Sequence, residues 1–172
     1  TFAGSSAGST DDTGTSARFN GPRGITTDGT NLYVADSNHR IRKIVISTGV
    51  VTTLAGSSSG STDGIGTAAS FNVPFGITTD GTNLYVTDRD NHRIRKIVIS
   101  TGVVTTLAKS SSTGYTDATG TSAEFYSPVG ITIDGTNLYV VDRNHRIRKI
   151  SLWGTATADV ALHNLDDDTD VT

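Results

Sequence analysis

The sequence predicts an all-β protein in which one four-stranded sheet occurs three times. Glycine occupies 19 of the 172 positions, hydrophobic residues make up 34% and aromatic residues 6%, a profile typical of short strands joined by tight turns. An eleven-residue segment that begins at Gly24 returns at Gly76 and, with a single change at Ile133, at Gly130. Self-similarity at a spacing of about 50 residues indicates a repeat architecture.

A second block, residues 38–44, reads Asn-His-Arg-Ile-Arg-Lys-Ile and returns at residues 91–97 and 144–150. The second repeat has one additional residue before this block, because Asp90 stands between Arg89 and the block. Differences in length between related segments are tolerated in loops and not inside strands. We therefore place a loop of variable length directly before each copy of the block.

Within the first repeat, short runs rich in β-branched residues predict strands at residues 25–28, 32–36, 40–47 and 50–55. Turn-forming sequences separate these runs, Asp-Gly-Thr-Asn between the first two strands and Ser-Thr-Gly between the last two. Short connections of this kind join antiparallel neighbours. Each repeat is therefore predicted to fold as one four-stranded antiparallel sheet.

The second strand is apolar on both faces, since Leu32, Tyr33 and Val34 follow one another. A sheet with two apolar faces must be covered on both sides, and radial stacking of sheets provides this cover. The fold class is therefore an all-β β-propeller segment of three four-stranded antiparallel blades. The predicted domain organisation is three blades within residues 1–150 (about 1–52, 53–105 and 106–150), followed by a divergent end of the last blade and an acidic tail at residues 151–172.

The repeated elements resemble the NHL repeat, which is named after an Asn-His-Leu signature that here reads Asn-His-Arg. The resemblance is carried by Pro22-Arg23-Gly24-Ile25 and by residues 32–36 and 38–44, with their copies, over residues 1–150. It implies a propeller, usually of six blades. The linkers of the type Ala-Gly-Ser-Ser are similar to those of long NHL arrays in exported bacterial proteins, which implies an extracellular or cell-surface location.

Composition excludes several classes of function. The chain contains no cysteine, so it has neither disulfides nor a thiol nucleophile, and no apolar run reaches the roughly 20 residues that a membrane span needs.

The net charge is −3, with all 14 lysines and arginines before residue 151 and five of the aspartates after it. The tail at residues 166–170 carries oxygen ligands of the kind that calcium binds, but a solvated chain end is the prediction. No metal and no cofactor is assigned.

Each repeat carries an aspartate, a histidine and an arginine around the variable loop. A catalytic interpretation would make the histidine a base that the aspartate orients. A residue that every blade needs occurs in every blade, whereas an active site normally occurs once. We therefore predict that these residues serve the fold, with Asp and His closing the loop and Arg extending over the neighbouring blade, and we assign no catalytic residue. The set comprises Asp36, His39 and Arg40, Asp88, His92 and Arg93, and Asp142, His145 and Arg146.

A nucleic-acid partner is not expected. Nine of the 14 basic residues lie in the three Arg-Ile-Arg-Lys blocks, but recognition of single strands also needs stacking aromatic side chains beside the charge. The aromatic residues of the repeats are predicted to lie in the core: Tyr33, Tyr85, Tyr139, Phe19, Phe71 and Phe125. The linker residues Asp11, Asp63 and Asp117 lack the spacing of a calcium loop, and we predict that they cap turns.

Specificity for a partner is expected where the repeats differ. In propellers of the NHL type, the entry to the first strand and the loop between the second and third strands open on the same face. The differing positions there are Arg23, Phe75, Val129, Ser37, Arg89, Asp90 and Arg143. Phe75 and Arg89 are the strongest candidates, because aromatic and arginine side chains are enriched among interface anchors.

The predicted function is that of a non-catalytic, exported module that binds a protein or another macromolecule, or assembles with its own kind outside the cell. The alternative is a fragment of a six-bladed lyase or hydrolase whose catalytic residues lie in blades outside this chain. Glu124 is the only glutamate of the sequence, and the other two repeats have no carboxylate at its position. An enzyme of this class would place such unmatched residues near the axis of the ring.

The ends of the repeat array lead to a further expectation. Residues 1–5 align with residues 53–57, so the chain starts within a blade. Closed propellers have four blades or more, and three blades leave two sheet faces uncovered. We expect these faces to be covered by further blades of the same polypeptide, by a second copy that completes a six-bladed ring, or by copies added head to tail into a filament.

Overall fold

The computed structural model describes residues 1–109 and 114–152, together with the backbone of residues 162–164. The fold is all-β, as predicted, with three antiparallel sheets that follow one another along the chain. Within this part of the chain, no helix has the length and apolar character needed to cross a bilayer. In the described ranges, the helical residues form single 3₁₀ turns at Gly14–Ser16, Gly66–Ala68, Arg89–Asn91 and Gly120–Ser122.

The first sheet confirms the four predicted strands in their predicted order. Strands that follow one another along the chain are neighbours in the sheet, because a short turn places each strand beside the preceding one. The boundaries differ from the prediction by up to three residues. The strands are β1 (Pro22–Thr27), β2 (Asn31–Asp36), β3 (Arg40–Val45) and β4 (Val51–Ala55).

The second sheet repeats this order and has a short additional strand at its outer edge, so that it runs β5-β9-β8-β7-β6. The additional strand comes from the linker before the sheet and shields the backbone of the edge strand. The strands are β5 (Gly64–Ile65), β6 (Pro74–Thr79), β7 (Asn83–Asp88), β8 (Arg93–Val98) and β9 (Val103–Lys109).

The third sheet contains β10 (Ile131–Ile133), β11 (Asn137–Asp142), β12 (Arg146–Ser151) and β13 (Leu162–Asn164). The fourth strand that the sequence predicts for this blade is therefore present and pairs with β12. The acidic tail at residues 166–170 lies outside the described residues. In the first blade, β4 extends across the boundary that the sequence placed between residues 52 and 53.

The turn between the first and second strands owes its form to one aspartate in each repeat. The Asp28 carboxylate accepts hydrogen bonds from the backbone N–H groups of Thr30 (2.8 Å) and Asn31 (2.6 Å) and from the Tyr33 hydroxyl (2.7 Å). Burial opposes the charged form, but these hydrogen bonds hold the pKa of Asp28 well below its usual range. The same contacts recur at Asp80 and Asp134, which explains why Asp-Gly-Thr-Asn is repeated without change.

The hydrophobic core lies between the blades rather than within one of them. One cluster joins Tyr33, Ala35 and Ile41 of the first blade to side chains such as Phe71 and Leu84 of the second. A second cluster joins Tyr85 and Ile94 to Phe125, Leu138 and Val140 of the third blade in the same manner. Burial of both faces of the middle sheet confirms that the sheets stack as propeller blades.

The first strands of the three blades pack against one another, and glycine allows this close approach. A Cβ atom on Gly24 would lie 2.5 Å from the Phe75 carbonyl oxygen of the next blade. A Cβ atom on Gly76 would collide in the same way with the Val129 carbonyl oxygen. Gly24 and Gly76 are therefore required by the contact between neighbouring blades.

Candidate binding site at the variable end of the blades

A β-bulge shapes the end of each of the first two blades where the repeats differ. Pro22 pairs with Asp36 and Ile25 pairs with Val34, so the register shifts at the two residues between Pro22 and Ile25. The same shift occurs in the second blade between Pro74 and Ile77. Bulges re-aim side chains beside functional sites, and here they direct Arg23 and Phe75 towards the loop that follows the second strand.

Five of the seven predicted binding residues are close together at this end. The guanidinium carbon of Arg23 lies 5.4 Å from the centre of the Phe75 ring, and that of Arg89 lies 5.6 Å from it. The Arg23 Nε–H donates to the Ser37 hydroxyl at 3.2 Å, and the Arg89 Nε–H donates to the Asp90 carboxylate at 2.7 Å. Phe75 is thus flanked by arginines from two different blades.

The other two predicted residues lie on the third blade. The Val129 N–H donates to the Val141 carbonyl oxygen, and the Val129 carbonyl oxygen accepts from the Thr87 hydroxyl at 2.9 Å. Arg143 is exposed, and its backbone N–H donates to the Tyr126 carbonyl oxygen. The described contacts of Val129 and Arg143 do not reach Phe75, so the cluster is centred on the first two blades.

The site combines a flat apolar surface with positive charge. Phe75 is half-buried and Arg23 is exposed, while the Arg89 side chain is 24% exposed. The hydrogen bond to Asp90 raises the pKa of the Arg89 guanidinium further above its already high value. Arginines stacked on an aromatic ring keep donors free to bind an acceptor while the ring contacts apolar atoms.

The repeated histidine reaches the next blade rather than closing its own loop. His39 Nδ1 accepts a hydrogen bond from the Val73 backbone N–H at 3.3 Å, and His92 Nδ1 accepts one from the Ser127 backbone N–H at 2.9 Å. The histidine backbone is left-handed in all three blades, with φ of 71° at His39, 55° at His92 and 69° at His145. The backbone closes the loop, which leaves the ring available for the contact between blades.

The repeated arginine that follows the histidine stays near its own loop, which differs from the expected contact with the neighbouring blade. Arg40 Nη1 donates to the Asn38 carbonyl oxygen and Arg146 Nη1 to the Asn144 carbonyl oxygen, both at 3.2 Å. Arg93 instead donates to the Ser61 carbonyl oxygen in the preceding linker at 3.1 Å. In the first blade, the histidine and the arginine have therefore exchanged the roles that the sequence suggested.

Replacing His92 with alanine is expected to reduce the free energy of unfolding by about 2 kcal/mol, since it removes a hydrogen bond and a ring stacked on Tyr126. His145→Ala is the matched control because its backbone has the same left-handed conformation. Urea denaturation of both variants at low protein concentration measures the difference. Equal losses would show that backbone strain, and not the contact with the next blade, accounts for the effect.

Sequence reasoning missed the largest fully buried side chain of each repeat, the second arginine of Arg-Ile-Arg-Lys. Arg42, Arg95 and Arg148 are each 0% exposed. The sequence contained a signal for this burial. Side chains alternate along a strand, and Arg42 lies on the same face as Ile44, which is a core residue. These three arginines are unavailable to nucleic-acid phosphates, which reduces the exposed positive charge of the blocks.

The linker aspartates were predicted to cap turns. In the structure they instead bind these buried arginines. Asp11 accepts a hydrogen bond from Arg42 Nη2 at 2.6 Å and another from the Thr53 backbone N–H at 2.8 Å. Asp63 makes the same pair of contacts with Arg95 and Thr106, and Asp117 pairs with Arg148. The first two linkers are thereby fastened to the third and fourth strands of the blades that follow them, and the third linker is fastened to the third strand of its blade.

Comparison with known proteins agrees with this geometry. NHL repeat-containing protein 2 from Homo sapiens is 35% identical over 136 residues, which is 70% of this chain and 19% of that protein. The protein of the same name from Gallus gallus is 37% identical over 90 residues, or 51% of this chain and 12% of that protein. The chain belongs to the NHL-repeat β-propeller family. No family model matches it.

Among solved structures, an auxiliary nutrient binding protein from Bacteroides ovatus superposes on this NHL-repeat chain with a TM-score of 0.61 and 28% sequence identity. The match covers 70% of this chain and 34% of that one. The chain spans about a fifth or less of the length of the curated NHL proteins named above. The likeness therefore concerns the repeats and not the other parts of those proteins.

In this NHL-repeat chain, the first residue of the Asp-His-Arg set is a buried partner of the core arginine. Asp88 is fully buried and lies 2.9 Å from Arg95. Burial raises the pKa of the Asp88 carboxyl, and hydrogen bonds from Asn91 and the Asn72 backbone together with the Arg95 charge oppose that rise. Burial likewise raises the pKa of Asp36, and it raises that of Asp142 to about 6.

The only glutamate of the NHL array is held in a linker. Glu124 Oε2 accepts the Thr116 hydroxyl at 2.7 Å, and the Glu124 carbonyl oxygen accepts from Arg148 at 2.8 Å. Its contacts are those of a linker residue that supports the third blade. Within residues 1–109 and 114–152, no three histidine or carboxylate side chains are grouped closely enough to hold a metal ion.

Proposed function

We propose that this NHL-repeat segment is a non-catalytic binding module that contacts a protein or another macromolecule through the variable end of its blades. The observation that carries the proposal is the Phe75 ring flanked by Arg23 and Arg89. Within near-identical repeats, this is the place where one aromatic residue and two cations meet across two blades. The Bacteroides ovatus structure with the same fold is named as a nutrient binding protein, which supports a binding role.

The chemistry of the site favours a partner that offers carboxylates beside an apolar contact. Arg23, Arg89 and Arg143 lie at this end, and Asp90 neutralises one of them. Arginine donors suit bidentate recognition of carboxylates, and a flanked aromatic ring is pre-organised for contact. An acidic segment with an apolar side chain is therefore the proposed recognition element.

The proposal also concerns the location of the protein. The Ala-Gly-Ser-Ser linkers are similar to those of exported NHL arrays, and this resemblance supports an extracellular or cell-surface location. Assembly of several copies outside the cell is the second part of this proposal. Either role uses the propeller as a rigid scaffold that presents loops, as is usual for repeat folds.

The experiment is a screen of a displayed peptide library for binders of the 172-residue chain, followed by titration of the best peptide. The double variant Phe75→Ala with Arg89→Ala should bind it roughly 30-fold more weakly, because central aromatic and arginine anchors each contribute more than about 1 kcal/mol. The library is expected to yield acidic peptides. Raising the salt concentration should weaken binding further, since the charges are partly exposed.

The matched control is the double variant Ile65→Ala with Lys96→Ala, which removes an exposed apolar residue and a cation away from this end. It should bind the peptide as the unaltered chain does. If both double variants bind equally well, the variable end is not the binding site. The lyase or hydrolase alternative gains no support from the described residues, since Glu124 is engaged in a linker.

A further inference from the structure

The third blade carries an exposed tyrosine at the end of the blades where the candidate binding site lies. Tyr126 is 46% exposed, and the equivalent residues of the first two repeats are Asn20 and Asn72. The backbone at this position does the same in all three repeats, because its N–H donates to the buried aspartate that ends the second strand of the blade. Asparagine serves the fold in two repeats, so the fold does not require the tyrosine side chain.

The Tyr126 ring is held in place by a residue of the second blade. It stacks on the His92 ring, with 5.7 Å between the ring centres and 8° between the ring planes. The His92 ring is itself fixed, because its Nδ1 accepts the Ser127 backbone N–H at 2.9 Å. An exposed ring that is held in this way loses little side-chain entropy when a partner binds, and it is therefore pre-organised for contact.

One short turn connects this pair of rings to Phe75. The 3₁₀ turn Arg89–Asn91 begins with the arginine whose guanidinium carbon lies 5.6 Å from the centre of the Phe75 ring, and His92 follows the last residue of the turn. The His92 backbone N–H donates to the Arg89 carbonyl oxygen at 3.1 Å. A turn closed in this way holds its first and last Cα atoms within about 7 Å of each other. The contacts of Phe75 and of Tyr126 therefore flank the same turn.

The loop of the third blade places a cation beside Tyr126. The Arg143 backbone N–H donates to the Tyr126 carbonyl oxygen at 3.1 Å, and Arg143 is exposed. In the second blade, Asp90 makes the equivalent backbone contact with Asn72 and pairs with Arg89 at 2.7 Å. Within residues 1–109 and 114–152, no carboxylate forms an ion pair with Arg143. The third blade thus presents an aromatic ring and a cation where the second blade presents an amide and an acid.

We propose that the acidic segment recognised by this chain runs from Phe75 across the turn to the third blade, where a second apolar side chain of the segment contacts Tyr126. This inference rests on the function proposed above and names the second anchor of the same site. Arg143 binds a carboxylate of the segment, since arginine donors pair with carboxylates. An extended peptide advances about 3.3 Å per residue, so one short segment reaches both anchors.

The test uses the peptides selected from the displayed library and isothermal titration of the best one into the 172-residue chain. The selected peptides should share two apolar positions with acidic residues beside them. Tyr126→Asn restores the residue of the other two repeats and should weaken binding about 10-fold. Adding Arg143→Ser, which restores the Ser37 of the first repeat, should bring the loss to about 50-fold. Circular dichroism of both variants confirms that they are folded.

Tyr115→Ser is the matched control. It removes another exposed tyrosine of the third blade and likewise restores the residue of the other two repeats, Ser9 and Ser61. The Tyr115 ring lies in the linker before the blade, where the Arg146 guanidinium carbon is 4.0 Å from its centre. This variant should bind the peptide as the unaltered chain does, and a loss as large as that of Tyr126→Asn would overturn the proposal.

The variants distinguish this inference from the proposed function. If Phe75→Ala with Arg89→Ala weakens binding and Tyr126→Asn does not, or if the peptides share one apolar position only, the second anchor is wrong and the proposed function stands. If only the third-blade variants weaken binding, the ligand does not reach Phe75, which overturns both. Tighter binding of single-stranded oligouridine than of the peptide, with the same dependence on Tyr126, would identify RNA as the occupant and overturn the proposal.

Discussion

Replacing Arg95 with alanine is expected to lower the free energy of unfolding by about 4 kcal/mol, the largest loss predicted for a side chain in this protein. Arg95 is fully buried, and its Nη1 donates to the Asp88 carboxylate at 2.9 Å and to the Ser70 carbonyl oxygen at 2.8 Å. Its Nη2 donates to the Thr62 carbonyl oxygen at 3.0 Å. Removal leaves a buried carboxylate without a cation and two carbonyl oxygens without donors.

Thermal unfolding should record this change as a fall of about 12 °C in the midpoint. Lys96→Ala is the matched control, because it removes a cation from the next position of the same strand, where the side chain is only half-buried. It should cost less than about 1 kcal/mol. A loss of that small size for Arg95→Ala would mean that the buried ion pair contributes no more than an exposed one.

Replacing Gly76 with alanine is expected to cost about 3 kcal/mol or more. The added Cβ atom would collide with the Val129 carbonyl oxygen and approach the Ile131 nitrogen at 3.2 Å. Both are backbone atoms of the neighbouring blade, so neither can rotate away as a side chain would. The second and third blades would have to separate, which disrupts the hydrophobic cluster between them.

The matched control is Gly130→Ala, at the same position of the third repeat, where the added atom meets only the Val141 side chain. Urea denaturation at nanomolar concentration, where association does not contribute, should show a loss below about 1 kcal/mol for this control. Equal losses for the two variants would indicate that glycine is needed for the local backbone, and not for the approach of the next blade.

Much of the fold was predictable because its determinants are local. The Asp-Gly-Thr-Asn turn folds through contacts between Asp28 and residues two to five positions later. Alternation along the strands and the shortness of the turns then impose antiparallel neighbours. The strand at Leu162–Asn164 was predictable as the fourth strand of the repeated unit, although the repeat is divergent there.

The candidate site was predictable in part. Differences between repeats singled out Arg23, Phe75 and Arg89, and the structure brings these three together. The same reasoning could not place Val129 and Arg143, because their neighbours depend on how the third blade stacks on the second. It also assigned the contact between blades to Arg40 instead of His39, whose ring accepts the Val73 backbone N–H.

The sequence by itself determined the unit of this protein, a four-stranded sheet whose turns and strand faces follow from residues a few positions apart. Only the tertiary structure decided the contacts over longer distances: the ion pair of the buried Arg42 with the linker residue Asp11, and the hydrogen bond of His39 with Val73 of the next blade. The physical reason is distance along the chain. These contacts join residues up to 34 positions apart, and they form when stacked blades exclude water, which no local pattern specifies.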